Sequence, residues 1–440
     1  MRGTGDRFRL PRFFVIYASR YYNLRPAGSP AVIKLLFIMT QIDLCMFCGH
    51  LRPCLLSRQM AAKRVLLFLS FMLVFAHSAS AQGKYFWAEI GGRRIYCEIT
   101  SDTTVEVQQH FYADRFRSEY CGNLIIPSTV TYYRKYTVTG IQMWECPYLT
   151  SIFIPRTSID IPTNCNSLNT IIVEEGNPVY DSREDCNAII ETATNTLILG
   201  CKNTVIPHSV VAIGRSAFNK NNSITDITIP ASVHSIGSLA FQSCDSLSSI
   251  VFEGDVKSIE GGAFYACRRL SSVVFNGDVN SIGNSAFHSC SRLPSIVFKG
   301  DVKSIEDGAF SACRRLSSVV FNGDVNSIGN SAFYECTNLT TVDFKGNIES
   351  IGNSAFHSCS RLPSIVFKGD VGSIGDNAFS YCKKLTSVIF EGDLRNIGYE
   401  AFSYCINLTS IIFKGYVGVI GRSTFFGCDK LYQENIRRIQ

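Results

Sequence analysis

Nine cysteines, Cys244, Cys267, Cys290, Cys313, Cys336, Cys359, Cys382, Cys405 and Cys428, follow one another at intervals of 23 residues. Thiols in such number can be metal ligands, disulfide partners or, beside a base, nucleophiles. His288 and His357 stand two residues before Cys290 and Cys359, a spacing that points two helical side chains in different directions, and no carboxylate is placed to orient either imidazole. A catalytic centre is not expected. A disulfide ladder is disfavoured too. Equivalent residues on stacked coils lie about 4.8 Å apart with parallel side chains, whereas a disulfide needs Cβ atoms about 3.8 Å apart. The column is read as small apolar thiols packed in a core, without metal or cofactor. Asp255, Asp278, Asp301, Asp324, Asp370 and Asp393 form a second column. One carboxylate per coil supplies too few oxygens for calcium, and a turn-forming Asp after Gly is the expected role. Six further cysteines, Cys97, Cys121, Cys146, Cys165, Cys186 and Cys201, are irregularly spaced and their pairing stays open.

The elements that carry these columns repeat as well. Isoleucine recurs at the same interval from Ile213 through Ile236 and Ile282 to Ile420, and an aromatic residue does so from Phe218 through Phe287 to Phe425. Exact self-similarity at 23 residues marks one supersecondary unit stacked on itself. Within a unit, Ile282, Ala286, Phe287 and Cys290 lie at i, i+4, i+5 and i+8, the spacing of one face of a short helix. Leu293, Ile296 and Phe298 then follow as L-x-x-L-x-L, whose last two members alternate inward along a strand. Gly300 and Asp301 turn the chain toward Val302. The expectation is an α/β solenoid with a short helix, a short strand and a turn per coil. One coil cannot stand alone. Its six or so apolar side chains contribute roughly 1.5 to 3 kcal/mol each, against about 1 to 2 kcal/mol of backbone entropy for every ordered residue. Stability has to come through neighbouring coils.

On "IGNSAFHSCSRLPSIVF" and its relatives, together with the looser Leu149 to Pro155 and Ile229-Pro230 units, the chain resembles the BspA-type leucine-rich-repeat family of exported proteins. The resemblance runs from about residue 82 to 431 and includes a family-like insert at 176–210. It implies a right-handed leucine-rich-repeat solenoid and a role in adhesion to host matrix or plasma proteins or to other bacteria. From Phe252 onward Phe-x-Gly-Asp replaces the Ile-Pro with which most family strands end. Residues 256–287 and 302–333 differ only at Gly261/Asp307 and Tyr265/Ser311, the mark of a duplicated two-repeat block.

The organisation expected is an upstream extension outside the true protein at 1–59 and a signal peptide at 60–81. A β-rich N-terminal cap at 82–140, irregular repeats with the insert at 141–204, regular repeats at 205–431 and a tail at 432–440 complete it. "MAAKRVLLFLSFMLVFAHSASAQ" has the basic, apolar and Ala-x-Ala parts of a secretory signal, with cleavage before Gln82. Residues 1–81 hold 11 of the 42 basic and 2 of the 36 acidic residues, which leaves the remainder close to neutral. A nucleic-acid partner is not expected. The mature chain should be secreted or displayed at the cell surface, without a membrane span and as a monomer.

Alternation turns one strand column outward: Val251, Val274, Val297, Val320, Asp343, Val366, Ile389 and Ile412. Hydroxyl pairs such as Ser248/Ser249, Ser271/Ser272, Thr340/Thr341 and Thr409/Ser410 flank it. This column is either plain strand propensity facing solvent or the binding face for a protein ligand. The binding reading takes Val251, Val274, Val297, Val320, Val366, Ile389 and Ile412 as contacts. Self-assembly and polysaccharide recognition are the alternatives, and the column offers no aromatic residue for the latter. Basic pairs Arg268/Arg269, Arg314/Arg315 and Lys383/Lys384 rim it, either as a solvated edge or as selectors of an acidic partner.

Overall fold

The computed structural model describes residues 84–109, 120–144, 146–432 and 436–438. The segments read as upstream extension and signal peptide, His110 and residues 433–435 and 439–440 lie outside the described residues.

From Ala212 onward each coil contributes two strands, each pairing in parallel with its equivalents in neighbouring coils. One strand carries the isoleucine column, as in Val302–Ile305, and pairs with the strands 23 residues before and after it, so that Ile282, Ile305 and Ile328 stand side by side. Every member of that column from Ile213 to Ile420 is aligned in this way within a thirteen-stranded sheet. The other strand carries the outward column, as in Ser318–Phe321. There Val319 and Phe321 are buried and Val320 is half-exposed, the alternation of a sheet with one face on a core.

The expected helix is absent. The segment holding Ala286, Phe287 and Cys290 is a pair of successive turns, and no α-helix occurs among the described residues. The hydrogen bonds show why. The Ala286, His288 and Cys290 N–H groups close local turns onto Gly283, Ser285 and Phe287, while those of Ser285, Phe287 and Ser289 donate to Asp307, Ala309 and Ser311 of the next coil. Ser285 and Ser289 both have positive φ, at 54° and 61°. A left-handed residue at every fourth position is incompatible with a right-handed helix. Alternating local and inter-coil bonds satisfy the same backbone groups without one. Two four-residue turns reproduce the i, i+4, i+8 spacing that helices share. The architecture is therefore a solenoid of parallel strands and turns, about 13 coils including the irregular ones, rather than α/β.

Two columns of phenylalanine fill the space between the sheets and the turns. Rings from Phe218 to Phe425 stack on one another with centroids 4.7 to 6.0 Å apart. A second stack runs from Phe252 to Phe413, and the columns meet edge to face, as at Phe298 and Phe310. Phe310 is fully buried between Phe287 and Phe333. Phe310→Ala is expected to cost about 3 to 5 kcal/mol in a urea titration followed by far-UV CD, through lost transfer energy and the cavity left behind. A cost below about 1 kcal/mol would mean that the stack does not hold the coil.

The outward-column strands do not form one continuous sheet. No ladder joins Ser272–Phe275 to Ser295–Phe298, and the ladder between Thr341–Phe344 and Ser364–Phe367 keeps only two residue pairs. Pro294 and Pro363 occupy the position just before the later strand of each pair, where Ser248, Ser271, Ser317 and Thr340 each donate an N–H to the coil before. Proline has no proton to give there.

Upstream, strands Tyr85–Ile90, Arg93–Ile99, Thr104–Gln108, Arg134–Gln142 and Thr129–Tyr132 form a five-stranded mixed sheet. Cys121–Ile125, Tyr148–Ile154 and Thr170–Val173 follow as a short parallel sheet. The insert folds as an antiparallel hairpin, Ala188–Glu191 with Thr196–Gly200, whose second strand pairs in parallel with Ala212–Ile213. Its two faces serve two cores. Ile189 and Leu199 join the N-terminal cluster, whereas Ile190 and Leu197 join the cluster of the regular coils. A hairpin apolar on both faces is the adaptor between irregular and regular repeats.

Candidate binding faces

The outward column is built as its alternation requires. Val251 pairs with Val274, Val297 with Val320, Val320 with Asp343, Asp343 with Val366, Val366 with Ile389 and Ile389 with Ile412. Val274 and Val297 are 36% and 43% exposed, and Val251, Val320, Val366, Ile389 and Ile412 are half-buried. Asp343 interrupts the apolar run and is held by Lys368 at 3.1 Å. The first hydroxyl of each flanking pair faces inward to the fold's own backbone. Ser248, Ser271, Thr340 and Thr409 each donate to a carbonyl of the preceding coil at 3.0 to 3.2 Å. Only the second hydroxyl and the Val/Ile side chain are left for a ligand.

The nine cysteines of the column are free and buried. Each thiol donates to the carbonyl of the Phe 26 residues earlier, as Cys290 does to Phe264 and Cys313 to Phe287, at 3.0 to 3.4 Å across the column. Burial pushes the Cys313 thiol up to about 12, so it stays a neutral donor at physiological pH. The His288 ring stacks on Tyr265 instead of meeting Cys290. Among the described residues no three His, Cys, Asp or Glu side chains converge on a point where a metal ion would fit.

The aspartate column has a more specific role than turn formation. Asp255 Oδ1 accepts the N–H of Asp278, Asp301 that of Asp324, Asp324 that of Asn347 and Asp370 that of Asp393, at 2.7 to 2.9 Å. Each carboxylate thus pins the corner of the next coil. A parallel ladder through Asp307, Asn330, Asn353 and Asp376 does the same at the other corner and was not singled out from the sequence. Its signal there is the recurring Ile-x-Asn or Ile-x-Asp, with Gly at x before Asn330, Asn353 and Asp376 and Glu306 before Asp307.

On the turn side, Tyr334, His357, Tyr381, Tyr404 and Phe426 form an aromatic run across five consecutive coils, with centroids 4.7 to 5.4 Å apart. Tyr381 and Tyr404 are 38% and 36% exposed and Phe426 55%. The basic pairs are all exposed, and of them Lys383/Lys384 shares a coil with this run, at Tyr381. Arg268 and Arg314 reach Asp245 and Glu335 at 3.6 and 3.4 Å.

The family model for the BspA type leucine rich repeat region matches residues 197–317 and 303–432, in six copies. Among solved structures, the chain is similar to a leucine-rich repeat protein from Bacteroides ovatus, at 23% identity over 78% of this chain and 97% of that one, with a TM-score of 0.41. It is also similar to a leucine rich cell surface protein from Faecalibacterium prausnitzii, at 20% identity over 81% and 95%, with a TM-score of 0.36. For the leucine rich repeat protein of T. pallidum the values are 29%, 42%, 87% and 0.34. No curated protein matches. No helix among the described residues is long and apolar enough to cross a membrane.

Proposed function

The chain belongs to the BspA-type leucine-rich-repeat family, and from that premise we propose that it is an exported, non-enzymatic protein that binds other proteins through its outward strand column, in adhesion to host matrix or plasma proteins or to other bacteria. The observation that carries the reading is a partly exposed column in two paired runs, Val251 with Val274 and Val297 with Val320, the second of which continues to Val366, Ile389 and Ile412. Stacking sets these side chains in one line on a rigid support, so a ligand meets a pre-ordered apolar surface and the protein loses little entropy on binding. Secretion through the signal at 60–81 and a monomeric mature chain are part of the same proposal.

The test is Val274→Lys, Val297→Lys and Val320→Lys together. Three charges placed on the stripe are expected to lower binding to immobilised plasma and matrix proteins by more than tenfold while far-UV CD stays unchanged. Undiminished binding by a folded variant would remove the face from consideration. Gel filtration of residues 82–440 distinguishes self-assembly, which would give a concentration-dependent oligomer lost in the same variant.

A further inference from the structure

We propose that the turn side of the solenoid is a second binding face, distinct from the strand column, and that its ligand is a linear acidic polysaccharide. The first observation is a cationic column. Arg269, Arg292, Arg315, Arg361, Lys384 and Lys430 occupy one register position of the repeat, interrupted only by Asn338 and Asn407. All six are exposed. Among the described residues none of the six forms an ion pair with a carboxylate. The lysines at the far end of the outward strands behave differently. Lys299 and Lys345 are bonded to Asn276 and Asn322, and Lys368 and Lys414 to Asp343 and Glu391. Lys430 is tied to Asn407 in the same way, whereas among the described residues no side chain holds Arg269, Arg292, Arg315, Arg361 or Lys384. Because the chain from Gln82 onward is close to neutral, this row is a local feature rather than part of a general basicity.

The second observation is the aromatic run Tyr334, His357, Tyr381, Tyr404 and Phe426, which spans the coils of Arg361, Lys384 and Lys430. Tyr334 and His357, and Tyr381 and Tyr404, are stacked face to face, so each of these rings has one face covered by its neighbour and offers its edge to a ligand. Single-stranded nucleic acid draws its affinity from bases stacked on free aromatic faces, which this run does not supply. Tyrosine edges carry hydroxyls, donors suited to sulfate, carboxylate and sugar oxygens. From Tyr334 to Phe426 the coils of the aromatic run also carry Arg361, Lys384 and Lys430, and the cationic row continues before it through Arg269, Arg292 and Arg315, advancing by about 4.8 Å per coil. A stiff linear polymer with an anionic group on its repeating unit can run along both. It also loses less conformational freedom on a rigid row than a flexible acidic peptide, which pays for its own ordering.

The experiment uses the full chain with heparin and polygalacturonate as sulfated and carboxylated probes, and dextran, poly-L-glutamate and oligothymidylate as comparators. Retention by at least one of the two acidic polysaccharides, release by salt and no retention by dextran are expected. The charge reversal Arg315→Glu, Arg361→Glu and Lys384→Glu should weaken that binding at least tenfold, and the milder Gln set at the same positions should act in the same direction. The control Lys257→Glu, Lys303→Glu and Arg395→Glu makes an equal change of charge on the exposed face of the isoleucine sheet and should shift affinity less than twofold. All variants are checked by far-UV CD. Equal weakening by the control, failure of both acidic polysaccharides to bind, or tighter binding of poly-L-glutamate or oligothymidylate than of either would overturn the proposal. The last result would point to an acidic peptide or a nucleic acid instead.

Discussion

Kept reduced and titrated from pH 8 to about 10.5, the solenoid is expected to unfold in one steep transition. The cause is the cysteine column. Burial raises the thiols of Cys244, Cys290, Cys313, Cys336, Cys359 and Cys382, and an adjoining sulfur together with burial raises those of Cys405 and Cys428. In the unfolded chain a thiol ionises near its ordinary value of 9.0, whereas Cys313 in the fold holds its proton to about 12. Below pH 9 both states are protonated and the thiols cost nothing. Above it only the unfolded chain releases protons, so stability is lost as pH rises toward the folded values. Each thiol contributes about 1.4 kcal/mol per pH unit. Every thiol of the column that keeps its proton in the fold steepens the loss. CD at 218 nm against pH, with the urea midpoint measured at each pH, reads this directly (the wavelength is about that of strand absorption). Cys290→Ser, Cys313→Ser and Cys336→Ser together keep a donor for each Phe carbonyl but remove three titrating groups, so the pH dependence should become measurably shallower. A urea midpoint flat from pH 8 to 10.5 would mean that the thiols are not sealed in the core.

The sequence made the register of this molecule legible and its backbone less so. The isoleucine and phenylalanine columns follow from counting, since only a stacked unit repeats apolar residues every 23 positions. Leu293, Ile296 and Phe298 were assigned inward, where burial places them. The strand Val302–Ile305 went unread because both of its ends, three residues apart, are buried. That pattern lacks the period of 2 by which strands are recognised. The turns were mistaken for a helix because four-residue turns and helical turns have nearly the same period. A subtler cue was present. The columns of Ser285 and Ser289, left-handed in every regular coil, contain Ser, Gly, Ala, Asn, Glu, Leu, Lys and Tyr but no Val, Ile or Thr. β-Branched residues are the ones that this conformation excludes. On the functional side, the outward valines were visible from alternation. The aromatic run was not, because it moves from the position after Phe at Tyr334 and His357 to the next position at Tyr381 and Tyr404. Only the three-dimensional stack joins the two.

If stacking in register is what holds the coils, removal of a whole period should be tolerated and removal of part of one should not. Deleting residues 256–301 takes out two repeats and joins Asp255 to Val302, the residue that corresponds to Val256 two coils later. The segment brought to the junction, 302–333, matches the segment 256–287 that it replaces except at Asp307 and Ser311. Val233 and Ile236 therefore meet Val302 and Ile305 in place of Val256 and Ile259, the Phe241 ring receives Phe310 in place of Phe264, and the thiol of Cys313 finds the Phe241 carbonyl. Such a chain is expected to keep its strand content per residue and unfold in one transition, with a Tm lowered by a few degrees at most. Deleting only residues 256–266 joins Asp255 to Cys267 and shifts every later residue by about half a coil. One interface then has to be broken or filled by a malformed coil. Its six or more buried apolar side chains, at roughly 1.5 to 3 kcal/mol each, amount to on the order of 10 kcal/mol of gross contact. The two flanking blocks should melt separately, and the N-terminal one, which keeps only the regular coils of Ile213 and Ile236, should become sensitive to protease near ambient temperature. Calorimetry of the two deletions side by side decides the matter. Equal melting behaviour would show that coils are held by local sequence rather than by alignment with their neighbours, and the picture of binding faces built by repetition would have to be abandoned.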